Sequence, residues 1–204
     1  MNSPRLRSLL CAVAVLACVA GLTAQSAKLS KAEAARFQAK LTVIEKNAAT
    51  PRKGTAPARK TAVTDDEVNA YLKFAAGSQV PVGIVDPMLH GAGSGRVTGR
   101  AVVDLNAVAK QKKRAWSDPL AYLGGRLPGT AAGTLTTKDG VGRFTLESAQ
   151  ISGITIPKSL LQELVSYYST TKEHPDGINM DKPFVLPAAI REITIGQGTA
   201  TIVQ

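Results

Sequence analysis

The sequence predicts an α+β protein in which a long curved antiparallel sheet wraps around one or two helices, preceded by an N-terminal helical arm. In three segments apolar residues recur every three or four positions, which is the period of a helix. Other segments alternate with a period of two, which is typical of strands. Glycine and alanine mix with large apolar residues on the presumed inner strand faces, and small residues there allow a sheet to curl.

Residues 1–24 are predicted to be a signal peptide. Arg5 and Arg7 precede an apolar run over 9–20, and small residues end at Ala24. The apolar run is too short to cross a hydrocarbon core of about 30 Å as a helix. We therefore expect an exported protein, periplasmic or secreted. Lipoprotein anchoring at Cys18 is the less favoured alternative, because leucine before Ala17 is unusual in such a cleavage site.

Both cysteines, Cys11 and Cys18, lie in the signal peptide, so the mature chain would contain none. Disulfides and thiolate metal sites are then excluded, and the fold must depend on its apolar core. The formal charge of +10 is concentrated near the N-terminus of this mature chain. An arm of this charge fits an anionic membrane surface or an envelope protein, whereas export excludes nucleic acid as the natural partner.

The basic arm over 25–49 is predicted to be an amphipathic helix. Ser30 and Glu33 form a capping box, and Phe37, Leu41 and Ile44 lie on one apolar stripe. This stripe could contact a membrane or a partner protein, or it could pack on its own domain. Residues 50–62 contain two prolines, one glycine and no large apolar residue, which predicts a flexible linker.

The domain over 63–204 is predicted to begin with a second capped helix, from Thr64 to Gly77, with Val68, Tyr71 and Leu72 buried. A strand is expected over 95–104. Hairpins are expected over 130–149, turning at 138–140, and over 191–203, turning at 196–198. Between these hairpins, Pro157 is expected to start a helix with a wide apolar face.

The order of these elements carries a resemblance. Residues 67–72 read Glu-Val-Asn-Ala-Tyr-Leu, and strands with Gly-x-Val-x-Gly and an Asp-Gly hairpin turn follow. Residues 154–161 then read Ile-Thr-Ile-Pro-Lys-Ser-Leu-Leu, and residues 186–193 read Leu-Pro-Ala-Ala-Ile-Arg-Glu-Ile. Over about residues 63–204 the chain resembles small bacterial members of the tubular lipid-binding (TULIP-like) superfamily.

The resemblance implies a groove for lipid acyl chains between a curled sheet and a helix, without catalysis. It places in this groove the apolar residues of the helix and of one strand: Phe144, Leu146, Leu160, Leu161, Leu164, Val165 and Tyr168. The same helix residues would also suit a solid core, and the sequence does not distinguish a hollow sheet from a filled one.

Asp86, His90 and Ser94 are the residue types of a nucleophilic triad, spaced by four. Ser94 lacks the strand-turn-helix elbow of Gly-x-Ser-x-Gly, so a glycine-rich loop is the better interpretation. We predict a protein that is not an enzyme and that needs no cofactor and no metal.

A basic cluster beside the single tryptophan suits a membrane interface, and a solvated helix end is its alternative. Its residues are Lys112, Lys113, Arg114 and Trp116. The sequence thus predicts an exported, non-enzymatic protein that binds a lipid or similar apolar ligand in a curled-sheet groove at a membrane surface. The alternative is a structural adaptor of the cell envelope that docks a protein partner through its N-terminal helix.

Overall fold

The structure is a computed structural model that describes residues 29–50, 57–110, 124–169, 176–177 and 179–204. The predicted signal peptide and the basic cluster at 112–116 lie outside the described residues, as do residues 51–56 of the predicted linker. The helices are α1 (Lys31–Ala49), α2 (Asp65–Phe74), α3 (Leu105–Lys110) and α4 (Lys158–Ser169). The strands are β1 (Lys60–Thr64), β2 (Ile84–Gly93), β3 (Arg96–Asp104), β4 (Arg126–Lys138), β5 (Val141–Ile151), β6 (Ile154–Thr155), β7 (Phe184–Val185), β8 (Glu192–Ile195) and β9 (Thr199–Val203).

The predicted fold class is confirmed: the protein is α+β, with a long antiparallel sheet and an N-terminal helix. The large sheet has six strands in the order β2-β3-β4-β5-β6, with β7 also pairing with β5, and it is not closed. The small sheet has three strands in the order β1-β9-β8. All the strand pairs are antiparallel.

The large sheet has one apolar face and one polar face. On β3, Val97, Gly99, Ala101 and Val103 share the apolar face, while the residues between them share the polar face. Residues directly opposite in neighbouring strands share a face. A register shift between Ala132 and Gly133 keeps Leu146 and Phe144 on the apolar face, opposite Gly133 and Leu135.

Helix α1 packs against its own domain. Its predicted capping box is confirmed, since Ser30 Oγ accepts from the Glu33 amide and the Glu33 carboxylate accepts from the Ser30 amide. Ile44 forms a core cluster with Leu186 and Ile190, and partly buried apolar residues of the small sheet pack against this cluster. The sequence left open whether this stripe contacts a membrane, a partner protein or its own domain. In the structure, the stripe packs on the domain that follows.

Helix α2 has the predicted capping box and buries Tyr71 as predicted, but the rest of its buried face differs. Thr64 Oγ1 accepts from the Glu67 amide, as expected. The buried residues are Glu67, Asn69, Ala70 and Tyr71, whereas Val68 and Leu72 are only half-buried. The difference arises because Glu67 faces the cations of α1 and Asn69 binds the backbone of β2. Neither partner is close in sequence.

The two-residue strands β6 and β7 were not predicted, and neither were two longer strands. Residues 60–62, assigned to the linker, belong to β1, which pairs with the C-terminal strand β9 from Lys60↔Val203 to Thr64↔Thr199. The segment around Gly91, interpreted as a loop, is the end of β2. Its hairpin turn is Ser94-Gly95, with φ of 52° and 80°, which is typical of a tight type I′ turn. Both strands depend on pairing partners that a local pattern does not reveal.

Within the described residues, no helix is both long enough and apolar enough to cross a membrane.

Candidate functional site

Small residues line up across the central strands of the apolar face. Gly99 is opposite Ala131, and Ala101 is opposite Gly129. On the next strand, Ala149 is opposite Ala131, and Ile151 is opposite Gly129. With at most a methyl group at five of these six positions, the strands leave volume above the sheet that other side chains must fill or a ligand can occupy.

A cavity of about 320 Å³ lies over these small residues. One wall is formed by Ile84 and Leu89 of the edge strand β2, and Val103 of β3 closes one end. The opposite side is formed by Ile156 and by Leu161 of helix α4, which packs along β5. Arg100, Thr130 and Gln150 also border the cavity, but most of the surface that faces it is apolar, so the site offers mainly apolar contact.

The cavity is not sealed. Ala131, at the centre of its floor, is exposed, and Leu89 keeps 42% of its surface accessible. An apolar molecule can therefore enter the cavity from solvent. Sites of this kind, apolar and preformed, are typical of small-molecule binding.

The predicted groove residues fall into three groups. Leu161 lines the cavity, and Leu160 and Val165 are half-buried on the same helix. Phe144 and Leu146 lie on the apolar face but farther along the sheet, where the Phe144 ring covers Gly133. The side chains of Leu164 and Tyr168 lie outside the described residues.

The predicted contact residues of the arm lie at the seam between α1 and the domain. Ile44 is buried, Leu41 is half-buried, and the ring of Phe37 packs on that of Tyr71 with centroids 5.1 Å apart. Next to this ring pair, Lys40 Nζ binds both carboxylate oxygens of Glu67, at 2.6 and 2.8 Å.

Several cavity residues were missed by the sequence analysis. Ile84, Met88 and Leu89 belong to β2, which was not predicted, and Ile156 precedes the helix that was. The signal that did point to the cavity was the run of small residues on β3 and β4. It indicated where volume would be missing, although not which aliphatic side chains would surround it.

The ionised carboxylates near the large sheet lie away from the apolar face. The hydroxyl of Thr134 and the guanidinium of Arg96 lower the pKa of Glu147, which sits at the register shift of β5. The Ala107 amide and Arg126 lower the pKa of Asp104 at the end of β3. The cavity itself is lined without a carboxylate.

The three residues considered as a nucleophilic triad have separate structural roles. His90 Nδ1 pairs with Asp65 Oδ2 at 2.7 Å, and Asp65 also accepts from the Gly91 amide. Asp86 lies at an irregular point of β2 with φ of 47°, and Ser94 is the first residue of the hairpin turn. Among the described residues, no group of three His, Cys, Asp or Glu is placed to hold a metal ion.

Comparison with known proteins gives little. No family model matches the chain, and no curated protein matches it. Among solved structures, the chain has a weak likeness to a crystal structure of lipopolysaccharide binding protein, with 16% identity and a TM-score of 0.22. The likeness covers 76% of this chain and 46% of that chain, so the chain spans less than half of that protein's length. At this TM-score the likeness assigns neither fold nor ligand, and the TULIP-like resemblance stays a prediction.

Proposed function

We propose that this is an exported, non-enzymatic protein that binds a lipid or similar apolar ligand on the apolar face of its large sheet. The observation that carries the proposal is the cavity of about 320 Å³ over the small residues of β3 and β4. Such a volume falls within the range of about 300–1,000 Å³ that is typical of ligand pockets. Export rests on the predicted signal peptide alone.

The apolar lining of the cavity favours a ligand with an alkyl chain over a polar ligand. Each methylene that leaves water for an aliphatic site contributes about 0.8 kcal/mol, so a chain of several methylenes would bind without any polar contact. Ile84, Ile151 and Leu161 supply such a surface. A polar ligand would lose its hydrogen bonds to water there and gain few in return.

The packing of α1 favours this proposal over the adaptor alternative. An adaptor would present Phe37, Leu41 and Ile44 to a partner, but Ile44 is a core residue and Phe37 packs on Tyr71. Releasing the stripe would expose this core. The apolar cavity has no such cost, because its lining is already open to a ligand.

Native mass spectrometry of the chain purified from an exporting host, followed by organic extraction, tests the proposal. We expect a stoichiometric adduct whose extracted component has an alkyl chain. Leu161→Asp places a carboxylate in the lining and should remove the adduct. Leu160→Asp is the matched control, since Leu160 is the half-buried neighbour on the same helix and does not line the cavity.

The two variants separate loss of the ligand from loss of the fold. Circular dichroism should show both folded, with the adduct retained in Leu160→Asp only. A wild-type protein that carries no adduct and takes up no alkyl-chain probe, such as a fatty acid added in excess, would overturn the proposal. Equal loss of the adduct in both variants would also count against a role for the cavity.

A further inference from the structure

The polar face of the large sheet holds a second, larger cavity, of about 530 Å³. The two cavities border on shared residues of the strands, among them Arg100, Thr130 and Gln150. They lie on opposite faces, because side chains at alternate positions of a strand point to opposite sides of the sheet. The larger cavity uses none of the aliphatic side chains of α4, so a site on the polar face can be tested without Leu161.

The floor of this cavity is a row of hydrogen-bonding side chains across three strands. Arg100 is directly opposite Thr130, and Thr130 is directly opposite Gln150. One step along the sheet, Thr98 and Ser148 add two hydroxyl groups to the lining. Since neighbouring strands are about 4.8 Å apart, the row presents donors and acceptors at regular intervals.

Arg100 is the exception among the arginines in the described part of the chain. Each of the others has an oxygen partner: Arg36, Arg59, Arg96, Arg126, Arg143 and Arg191. The guanidinium of Arg100 instead lies against a thioether, with Nη2 3.0 Å from Met88 Sδ. A thioether is a weak acceptor and leaves the charge of Arg100 without a counterion.

The opposite wall comes from the start of α2. Asp65 already pairs with His90 and accepts a hydrogen bond from the Gly91 amide. The side-chain amide of Asn69 is hydrogen-bonded to the backbone N–H and C=O of Leu89. Asp66 lines the cavity as an exposed carboxylate that can accept hydrogen bonds from hydroxyl groups. The cavity thus has an anion-binding floor and a wall that accepts hydroxyl donors.

We propose that this cavity binds an anionic monosaccharide. The guanidinium fork of Arg100 would hold the carboxylate or phosphate, because its geometry matches both. The hydroxyl and amide groups of Thr130, Ser148 and Gln150 both donate and accept, as sugar hydroxyls require. Asp66 would accept from the hydroxyls at the far end, away from the bound anion.

Titration of the ¹⁵N-labelled full chain, followed by NMR, tests this site with four probes: glucuronate, glucose 6-phosphate, glucose and inorganic phosphate. We expect saturable shifts for a sugar anion at the amides of residues 65–66, 98–100, 130–132 and 148–150. The better of the two sugar anions identifies the charged group. Glucose or inorganic phosphate binding as well as both sugar anions would overturn the proposal.

Arg100→Gln is the decisive variant, with Arg96→Gln as its control. Both arginines are exposed on the same face of β3, but Arg96 is paired with Glu147 and does not line the cavity. Arg100→Gln should weaken sugar-anion binding by about tenfold or more, and Arg96→Gln should leave it unchanged. Equal weakening by both variants would indicate general attraction to a basic surface and would refute a site at Arg100. Thr130→Val, which keeps the charge, should weaken binding less than Arg100→Gln.

Discussion

Two ends of this molecule treat missing side-chain volume in opposite ways. At the packed end, made of α1, α2 and the small sheet, Ile44 of the helix fills the space beside Leu186 and Ile190. At the open end, the small residues of β3 and β4 leave a cavity that the surrounding aliphatic residues do not fill. Small residues alone therefore do not make a cavity; whether side chains pack above them decides.

The apolar face of the large sheet contains both outcomes within one short stretch. Over Gly133 the ring of Phe144 occupies the space of the missing side chain. Over Gly99 the nearest atoms, the end of Leu89 and the Met88 carbonyl oxygen, lie at ordinary contact distance. The packed end therefore stabilises the fold, whereas the open end is available for binding.

Ile44→Ala should have the largest effect, because it removes a buried side chain from the packed end. A truncation of this kind typically costs about 2–5 kcal/mol in the free energy of unfolding. Urea denaturation measures the loss. Val43→Ala is the control, because Val43 is the next residue on the same helix and is 49% exposed, whereas Ile44 is 4% exposed. Equal losses in the two variants would contradict the packing of α1 onto the domain.

Much of the fold could be predicted from the sequence because its signals are local. Both capping boxes, the Asp139-Gly140 hairpin turn and the helix after Pro157 depend on residues within a few positions of one another. Strand β1 could not be predicted in this way. Its pairing with β9 joins positions more than a hundred residues apart, and residues 60–62 read as linker on composition alone.

The candidate site was predictable only in part, and for the same reason. The small residues of β3 and β4 indicated missing volume, and Leu161 was placed correctly on its helix. The wall formed by Ile84 and Leu89 depends on β2, whose glycine-rich end resembles a loop. Asn69 explains why β2 is nonetheless a strand: its amide binds both the N–H and the C=O of Leu89, at 2.7 and 2.8 Å. A side chain from another element thus completes the edge of the sheet.

Glycine-to-alanine substitutions at two positions of the apolar face test whether the space above each glycine is filled or open. At Gly133 a new methyl group would lie 2.3 Å from the Phe144 ring and 2.6 Å from the Thr145 carbonyl oxygen, so the backbone must shift. We expect Gly133→Ala to lower the free energy of unfolding by about 1–3 kcal/mol. At Gly99 the nearest atom is 3.4 Å away, and Gly99→Ala should change stability by less than about 1 kcal/mol. Thermal unfolding measures the change in stability of both variants. A larger loss in Gly99→Ala than in Gly133→Ala would mean that the face is open at Gly133 instead.

A smaller effect than at Gly133 is expected at Glu67, whose ionisation links α1 to α2 within the packed end. Burial acts to raise the pKa of Glu67, but the hydrogen bonds from Lys40 and the Thr64 amide and the charges of Lys40 and Arg36 outweigh it. The pKa therefore lies below its ordinary value of 4.5. A carboxylate with a lowered pKa stabilises the folded state above that ordinary value, and the contribution is lost as the pH falls through the lower, folded-state value. Because Lys40 is one-third exposed, solvent screening limits the contribution to about 1 kcal/mol.

Glu67→Gln should therefore destabilise the protein near pH 7, and the advantage of wild type over the variant should shrink as the pH falls below about 4.5. Asp104 and Glu147 also have lowered pKa values, so the informative quantity is the difference in unfolding free energy between wild type and variant at each pH. Glu45→Gln, at an exposed position of α1, should give a flat difference.

The apolar cavity lies outside this seam, so Glu67→Gln should keep the bound ligand at pH 7. If it instead released the ligand while remaining folded, the two ends would be coupled, and the division between a stabilising end and a binding end would be wrong.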